Sequence, residues 1–340
     1  MSASPQPVDT FGDSNLLRRL GIREDSWLGK NKSLIIAFGL IVVLLIISGI
    51  REPGFLSASN LRQQLILATF LGTVAAGQTT VILTGGIDLS VAWNLNFAAV
   101  LFTQTLNGRT RTADIVWATT LALAAGTAVG IVNGLGVAIL KIPSLVMTLG
   151  MNTVMLGATL VYTNGTPQGA PPHFARAIAT ERILGFLPWA VVYWAGLSIV
   201  MIILLKFSVF GRRIYAIGNN RRAAMLSGTS VRFMTVCVYA ASGLTAGMAG
   251  ILLAGYANNT YLGMGDAYIL QSIAAVVIGG TSILGGSGGY GGTIAGAIMI
   301  VLLQNSLQVA GIKPAGQQIL YGVIILLMLF IYGRARQIRE

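Results

Sequence analysis

The run FMTVCVYAASGLTAGMAGILLAGYANNTYLGMG, residues 233–265, contains no Asp, Glu, Lys or Arg. A helix needs roughly 20 mostly apolar residues to cross a bilayer, so this run is long enough for one crossing and a turn. Seven further charge-free runs lie at 63–87, 89–108, 115–140, 142–175, 183–205, 267–312 and 314–333. The pattern predicts an all-α polytopic membrane protein.

The overall composition supports a lipid environment. Of the 340 residues, 54% are hydrophobic and 9% are charged, whereas soluble domains carry about 25% charged residues. The mean hydropathy is +0.76. We interpret the formal charge of +12 as the excess of Lys and Arg that is typical of cytoplasmic loops, and not as a nucleic-acid site. Membrane lipid is therefore an expected partner.

Ten transmembrane helices are predicted from the apolar runs. They are placed at 33–50, 61–83, 89–107, 113–140, 144–164, 187–206, 233–256, 267–284, 291–310 and 316–332. The first apolar run has no small-residue cleavage site close behind it, so we interpret it as an uncleaved helix. These spans define a transmembrane domain at 33–333, preceded by a tail at 1–32 and followed by one at 334–340. A short interfacial helix is expected at 173–183.

The distribution of basic residues predicts the orientation. If both tails are cytoplasmic, 15 of the 22 Lys and Arg lie on the inside. Because cytoplasmic loops are enriched in Lys and Arg, this count favours two cytoplasmic termini. The largest cytoplasmic loop is then at about 207–232.

Glycines within the spans predict close helix packing. Gly126, Gly130 and Gly134 follow one another at four-residue steps, and Gly243 precedes Gly247 by the same step. Small residues at this spacing let helix backbones approach each other in lipid. Gating hinges are the alternative. A faint internal repeat links TGGIDLS (84–90) with IGGTSILGGSGGYGG (278–292), because each places Gly-Gly after an apolar span.

Polar side chains within the spans are candidates for a translocation pathway, because hydrocarbon tolerates few of them. On the fifth span they recur on one face at helical spacing. Interhelical hydrogen bonding is the alternative, and both interpretations stay open. For Asp88, at the start of the third span, we expect a capping role, with gating as the alternative. The candidate pathway residues are Thr73, Gln78, Asp88, Asn94, Asn96, Thr148, Asn152 and Thr159.

Enzymatic chemistry has little support in the sequence. The single cysteine, Cys237, and the single histidine, His173, form neither a disulfide framework nor a metal cluster. The Gly-rich stretch at 285–292 lacks the Lys and Ser/Thr of a phosphate-binding loop, so it predicts a tight turn. We expect no cofactor and no metal. Without intramembrane carboxylate pairs, energy for uphill transport has to come from a partner.

The stretch GRRIYAIGNNRRAAMLSG, residues 211–228, places four Arg in one predicted loop. AAMLSG predicts a short helix, which Asn219 or Asn220 can cap and Gly228 can end. Anionic lipid headgroups are one possible ligand of the arginines. A structured helix indicates a docking surface for a cytoplasmic partner.

This loop resembles the cytoplasmic loop of sugar-type ABC importer permeases, such as ribose, xylose, arabinose and galactose permeases. TGGIDLSV (84–91), IPSLVMTLG (142–150) and AAVVIGGTSILGGSGGYGGTIAGA (274–297) are similar to the same family, and together the matches cover roughly 60–333. The resemblance implies a ten-helix type II importer fold with two related halves. It also implies a second permease subunit, cytoplasmic ATP-binding subunits and a periplasmic solute-binding protein, with the chain in the bacterial inner membrane.

Within the loop, the resemblance implies a coupling helix that docks on the ATPase. The chain departs from the family pattern at Asn219, where a second Gly is usual, and at Arg221 and Arg222. Two adjacent Arg suit an acidic groove on the ATPase, and we expect their reversal to Glu to reduce assembly. The implied coupling residues are Gly211, Arg213, Tyr215, Ala216, Gly218, Asn220, Arg221, Arg222, Ala223, Ala224, Ser227 and Gly228.

The sequence therefore predicts a non-enzymatic permease subunit that moves a neutral sugar or polyol inward. A permease for a branched-chain amino acid or a nucleoside is an alternative within the wider superfamily. An ion-coupled secondary carrier and an intramembrane scaffold are alternatives from other classes.

Overall fold

The computed structural model describes residues 32–183 and 185–337. The predicted tails, apart from Lys32 at the first boundary and 334–337 at the second, lie outside the described residues. The helices are α1 (Lys32–Arg51), α2 (Ala58–Leu83), α3 (Val91–Leu106), α4 (Thr112–Ala138), α5 (Ser144–Thr163), α6 (His173–Thr180), α7 (Trp189–Phe207), α8 (Val209–Asn219), α9 (Arg221–Leu226), α10 (Val231–Ala257), α11 (Tyr268–Ile278), α12 (Tyr290–Val309) and α13 (Pro314–Gln337). A 3-10 turn at Pro53–Leu56 connects α1 to α2.

A helix lies at each of the ten predicted spans, and the chain is mostly helical. In the described residues, six helices are long and apolar enough to cross a membrane, namely α2, α4, α5, α7, α10 and α12. Shorter apolar helices lie at Ile41–Arg51, Tyr268–Ile278 and Pro314–Leu327. A polytopic membrane architecture follows, while ten crossings remain a prediction.

Two predicted boundaries were wrong. The eighth span was placed at 267–284, but α11 ends at Ile278, because Gly279 is followed by Gly280 in a left-handed conformation (φ +86°) that turns the chain. The tenth span was placed at 316–332, whereas α13 continues to Gln337. Polar residues alone do not end a helix, and the segment after Tyr332 contains no Pro.

The buried centre of the bundle is formed by α2, α3 and α10. Close packing of α10 on α4 confirms the interpretation of the glycine spacing. A Cβ on Gly126 would meet the carbonyl of Gly243, one on Gly130 would meet that of Tyr239, and one on Gly134 would meet the backbone of Val236. These backbones approach so closely that only glycine fits between them.

The predicted interfacial helix at 173–183 is shorter than expected. Helix α6 ends at Thr180, and Arg182–Ile183 (β1) then pairs antiparallel with Leu187–Pro188 (β2). This small hairpin leads into α7, and it lies at the end of the bundle opposite to α8 and α9.

Candidate functional site

Helix α8 starts with a side-chain cap and packs an apolar face onto the bundle. Ser208 Oγ accepts from the backbone N–H of Gly211 over 3.1 Å. Ile214 and Ile217 are buried in a cluster that includes Tyr239 of α10. This packing fixes the position of the segment for which the resemblance implies a coupling role.

The opposite side of α8 contacts the glycine-rich turn between α11 and α12, which spans residues 279–289. The Tyr215 hydroxyl donates to the carbonyl of Gly288 over 2.9 Å. Asn219 Nδ2 donates to the carbonyl of Gly286 over 3.1 Å. Burial raises the pKa of the Tyr215 hydroxyl, so it stays protonated and remains a donor.

The two Gly-Gly turns of the proposed internal repeat lie side by side. The Gly286 N–H donates to the carbonyl of Leu83, the last residue of α2, over 2.9 Å. Gly218 of α8 completes the contact, since a Cβ there would clash with the Leu83 carbonyl and the Gly286 backbone. One helix of the loop therefore contacts turns from both segments of the repeat.

Helix α9 is capped as expected. Asn220 Oδ1 accepts from the backbone N–H groups of Arg222 and Ala223, both over 3.0 Å. Gly228 follows the helix at φ +79°, a conformation that favours glycine. The sequence allowed either Asn219 or Asn220 as the cap of this helix. The structure selects Asn220, because the Asn219 side chain bonds to Tyr215 and Gly286.

The outer face of α9 combines apolar and basic side chains. Met225 is 61% exposed and Leu226 is 87% exposed, whereas Ala224 is buried against the bundle. Arg221 and Arg222 are also exposed. In the part of the chain that the structure describes, the only contact within 4 Å between a basic and an acidic side chain joins His173 to Glu181, so the α9 arginines have no carboxylate partner there. Such a face can bind an apolar and acidic surface.

Of the other coupling residues that the resemblance implies, Gly211 is buried, and Arg213, Ala216, Ala223 and Ser227 are exposed. Ser227 Oγ donates to the carbonyl of Ala223. The implied residues thus divide into a buried set that holds α8 on the bundle and an exposed set that is free for a partner.

Asp88 forms the centre of a buried polar network between α3, α4 and α10. Its Oδ1 accepts from the backbone N–H (2.9 Å) and the hydroxyl (2.6 Å) of Ser90, and its Oδ2 accepts from Ser242 Oγ over 2.7 Å. Asn133 Nδ2 donates to Ser90 Oγ over 2.8 Å. Asp88 does bind an N–H at the start of α3, although Ser90 is the residue before the helix. Ser242 was missed by sequence reasoning, because one hydroxyl in an apolar run carries no signal.

The polar stripe on α5 faces the bundle. Thr148 Oγ1 donates to the carbonyl of Ser144 (2.8 Å) and accepts from Leu89 N–H (3.0 Å). Thr159 Oγ1 donates to the carbonyl of Met155, and Asn152 Oδ1 accepts from Trp93 N–H over 3.2 Å. The contacts of Thr148 with Leu89 and of Asn152 with Trp93 connect α5 to the start of α3.

The remaining pathway candidates are buried on α2 and α3. Thr73 donates to the carbonyl of Thr69, Asn94 to that of Gly126 and Asn96 to that of Tyr261. Gln78 differs, because neither amide atom has a hydrogen-bond partner among the described residues although the side chain is fully buried. Thr148, Asn152, Asn94 and Asn96 thus bond between segments, whereas Thr73 and Thr159 bond within their own helices. Gln78 stands apart from both groups.

Residues 60–329 match the family model described as branched-chain amino acid transport system / permease component. The ribose import permease protein RbsC of Bacillus subtilis is 34% identical over 86% of this chain and 90% of its own length. RbsC of Escherichia coli K12 is also 34% identical, over 90% and 94%. The L-arabinose ABC transporter permease protein AraH of Azospirillum brasilense is 30% identical over 88% and 89%. No solved structure matches.

The matched region contains most of α2, all of α3 to α12 and most of α13. It therefore includes both Gly-Gly turns and the α8–α9 loop that contacts them. The family model and the relatives each cover most of the chain. The chain belongs to this family of ABC transporter permease components.

Proposed function

We propose that the chain is the permease subunit of an ABC importer and moves a neutral sugar or polyol into the cytoplasm. The observation that carries this proposal is the 34% identity to ribose import permeases over most of both chains. The L-arabinose permease relative supports the same substrate class. A periplasmic solute-binding protein would deliver the solute, and separate ATP-binding subunits would drive the transport.

We place α8 and α9 in the cytoplasm together with both termini. Fifteen of the 22 Lys and Arg then lie inside, as the positive-inside rule favours. The ten-helix type II fold with two related halves belongs to the same proposal. The contact of α8 with both Gly-Gly turns supports it, because such a helix can transmit a movement to both halves.

The exposed face of α9 is the proposed docking surface for the ATPase. Leu226 presents an apolar side chain at 87% exposure, and Arg221 and Arg222 add two positive charges. Leu226→Asp should abolish co-purification of the cognate ATP-binding subunit, and reversal of both arginines to Glu should reduce it. Leu140→Asp, at a 71% exposed position before α5, serves as a control for the added charge.

The transport proposal is tested in proteoliposomes. With the ATP-binding subunit and the binding protein, ribose uptake should require ATP and be blocked by vanadate. The chain alone should not accumulate solute when a proton or sodium gradient is applied. Accumulation by the isolated chain would show that the chain is a secondary carrier and would overturn the proposal. Normal uptake in cells that lack both partners would lead to the same conclusion.

The candidate pathway residues stay part of the proposal. Gln78 is the strongest of them, because a buried amide without partners costs free energy unless water or a solute satisfies it. Gln78→Leu should slow uptake while ATPase co-purification is unchanged. Asn94→Leu, which removes a donor to the Gly126 carbonyl, tests whether a packing amide behaves differently.

A branched-chain amino acid is a second candidate substrate, because the matching family model carries that description. The ligand that the cognate periplasmic protein binds distinguishes the two candidates. Calorimetric titration of that protein with ribose, arabinose, leucine and adenosine should give binding to a sugar alone. Binding of leucine would indicate an amino acid as the transported solute, and binding of adenosine would indicate a nucleoside.

A further inference from the structure

A cavity of about 700 Å³ lies between α9, the starts of α5 and α10, and the Gly85–Gly86 turn. Four cationic side chains contribute to its wall, and none of the described residues in the wall is acidic. The cations come from three different segments. They are Lys141, Arg221, Arg222 and Arg232.

Two helix N-termini add partial positive charge to the same wall. Helix α5 begins at Ser144 after Pro143, and α10 begins at Val231 after Ser230. Neither N-terminus is capped by a side chain, and Pro143, Ser144 and Val231 line the cavity. Free N–H groups and the helix dipole at such ends favour an anion.

The Tyr239 hydroxyl is an unused donor at the cavity. The side chain is 1% exposed and lines the cavity. Its hydroxyl is near the Ser144 side chain but makes no hydrogen bond within 3.5 Å to a described residue. The hydroxyl lies beside Gly86, since a Cβ on Gly86 would be 2.6 Å from it. A buried hydroxyl without a partner is costly, and an anionic oxygen in the cavity would satisfy it.

Asp88 is the acidic side chain near the cavity, and it forms no salt bridge with these cations. Asp88 is close enough to Tyr239 to interact with it electrostatically, but it is not part of the wall. Both of its oxygens accept from Ser90 and Ser242 instead. Within the described part of the chain, none of the four cations is therefore held in a salt bridge by a carboxylate.

We propose that this cavity binds a phosphate ester. Arg guanidinium groups, helix N-termini and a hydroxyl donor together match the oxygens of a phosphoryl group. A volume of about 700 Å³ lies in the range of small-molecule sites, so it holds an esterified phosphate with its organic part. The source is either a soluble metabolite or an anionic phospholipid headgroup, which share this chemistry.

The site is separable from ATPase docking, because Lys141 and Arg232 lie outside α9. Binding of glycerol 3-phosphate is measured by calorimetry on the full chain in phosphatidylcholine nanodiscs at low salt. In Lys141→Gln/Arg232→Gln, we expect the affinity to fall about tenfold or more. Arg109→Gln/Arg111→Gln, which removes two cations at the opposite end of α3, should bind as the original chain does.

A second arm identifies the source. In nanodiscs that contain phosphatidylglycerol, native mass spectrometry counts the lipids that stay bound after extraction. If the source is a lipid, the original chain should retain phosphatidylglycerol and bind glycerol 3-phosphate weakly. The Lys141→Gln/Arg232→Gln variant should then lose the retained phosphatidylglycerol. A soluble source gives tight binding of glycerol 3-phosphate and no selective lipid retention.

Two conservative variants keep the test valid if the double variant fails to fold. Lys141→Arg should retain binding, and Tyr239→Phe should weaken it several-fold with an unchanged circular dichroism spectrum. If the original chain retains no phosphatidylglycerol and binds glycerol 3-phosphate no better than glycerol, the proposal is overturned. Loss of binding with ATPase co-purification intact separates this site from the proposed docking surface.

Discussion

The hydroxyl of Tyr215 donates to the carbonyl of Gly288 over 2.9 Å, and it thereby joins α8 to the turn between α11 and α12. Gly288 has φ +116°, which favours glycine at this position. A shift of α8 thus acts on the turn directly, through a hydrogen bond to its backbone. In the proposed function, this contact transmits force from the ATPase to the membrane helices.

Tyr215→Phe should uncouple α8 from the turn without preventing assembly. The variant loses one hydrogen bond, worth about 1 kcal/mol, and keeps the apolar ring against the bundle. We expect reduced sugar uptake per ATP hydrolysed in proteoliposomes, with normal co-purification of the ATPase. Tyr162→Phe, on the exposed face of α5, is the matched control. Unchanged coupling in Tyr215→Phe would show that the contact transmits nothing.

The stability that Tyr215 contributes should be lost at alkaline pH. Burial raises the pKa of Tyr215 above its ordinary value of 10.0, so the folded state holds the phenol proton more tightly than the unfolded state. Its contribution to stability is complete below pH 10 and is lost as the pH rises through the raised pKa. Thermal unfolding between pH 8 and about pH 11 should therefore show a smaller alkaline loss in Tyr215→Phe than in the original chain.

Gly218→Ala should destabilise the α8–α9 end. The added Cβ would meet the Leu83 carbonyl and the Gly286 backbone, and backbone atoms cannot move away at low cost. Overpacking of this kind costs about 1–3 kcal/mol, which a thermal unfolding scan in detergent detects. Gly196→Ala in α7 is the control, because its Cβ would meet nothing within 4 Å. Equal melting temperatures would contradict the close approach of the two turns.

Asn220→Ala should fray α9, because the Asn220 side chain accepts from two backbone N–H groups. Loss of an N-cap costs about 1 kcal/mol, which is large for a helix of six residues. We expect faster tryptic cleavage after Arg221 and Arg222 and weaker ATPase co-purification. Asn220→Asp, which keeps the accepting oxygen, should restore both properties. Cleavage at the original rate in Asn220→Ala would mean that the cap is dispensable.

Much of the architecture could be predicted because lipid imposes simple rules on the chain. Charge-free runs located a helix at each predicted span, and four-residue glycine steps located the packing of α4 on α10. The end of α11 was misplaced, because Gly279 lies within an apolar run and hydropathy carries no signal for a turn. The Asn220 cap was one of two options, since the choice depends on where the Asn219 side chain bonds.

The contacts of the candidate site were less accessible to sequence reasoning. The sequence suggested that the two Gly-Gly turns belong to an internal repeat. Nothing in it indicated that the turns are in contact or that Gly218 packs against both. The basic cavity was missed for the same reason, because Lys141 and Arg232 are separated by about 90 residues along the chain. Long-range proximity depends on helix packing, which periodicity does not encode.

Asp88 and Ser242 should stabilise the bundle as a pair. Asp88→Ala would leave two buried hydroxyls and the Ser90 N–H without their acceptor, and a buried orphan group costs about 1–3 kcal/mol. Ser242→Ala removes one donor from the same carboxylate. A double-mutant cycle, with thermal unfolding as the measurement, should show coupling of about 0.5–3 kcal/mol. The control cycle combines Asp88→Ala with Thr235→Ala, because the Thr235 hydroxyl donates to the Val231 carbonyl within α10. In this cycle, the two losses of stability should add. Additivity in the first cycle would show that the carboxylate does not depend on Ser242, and Asp88 would then act on the start of α3 alone.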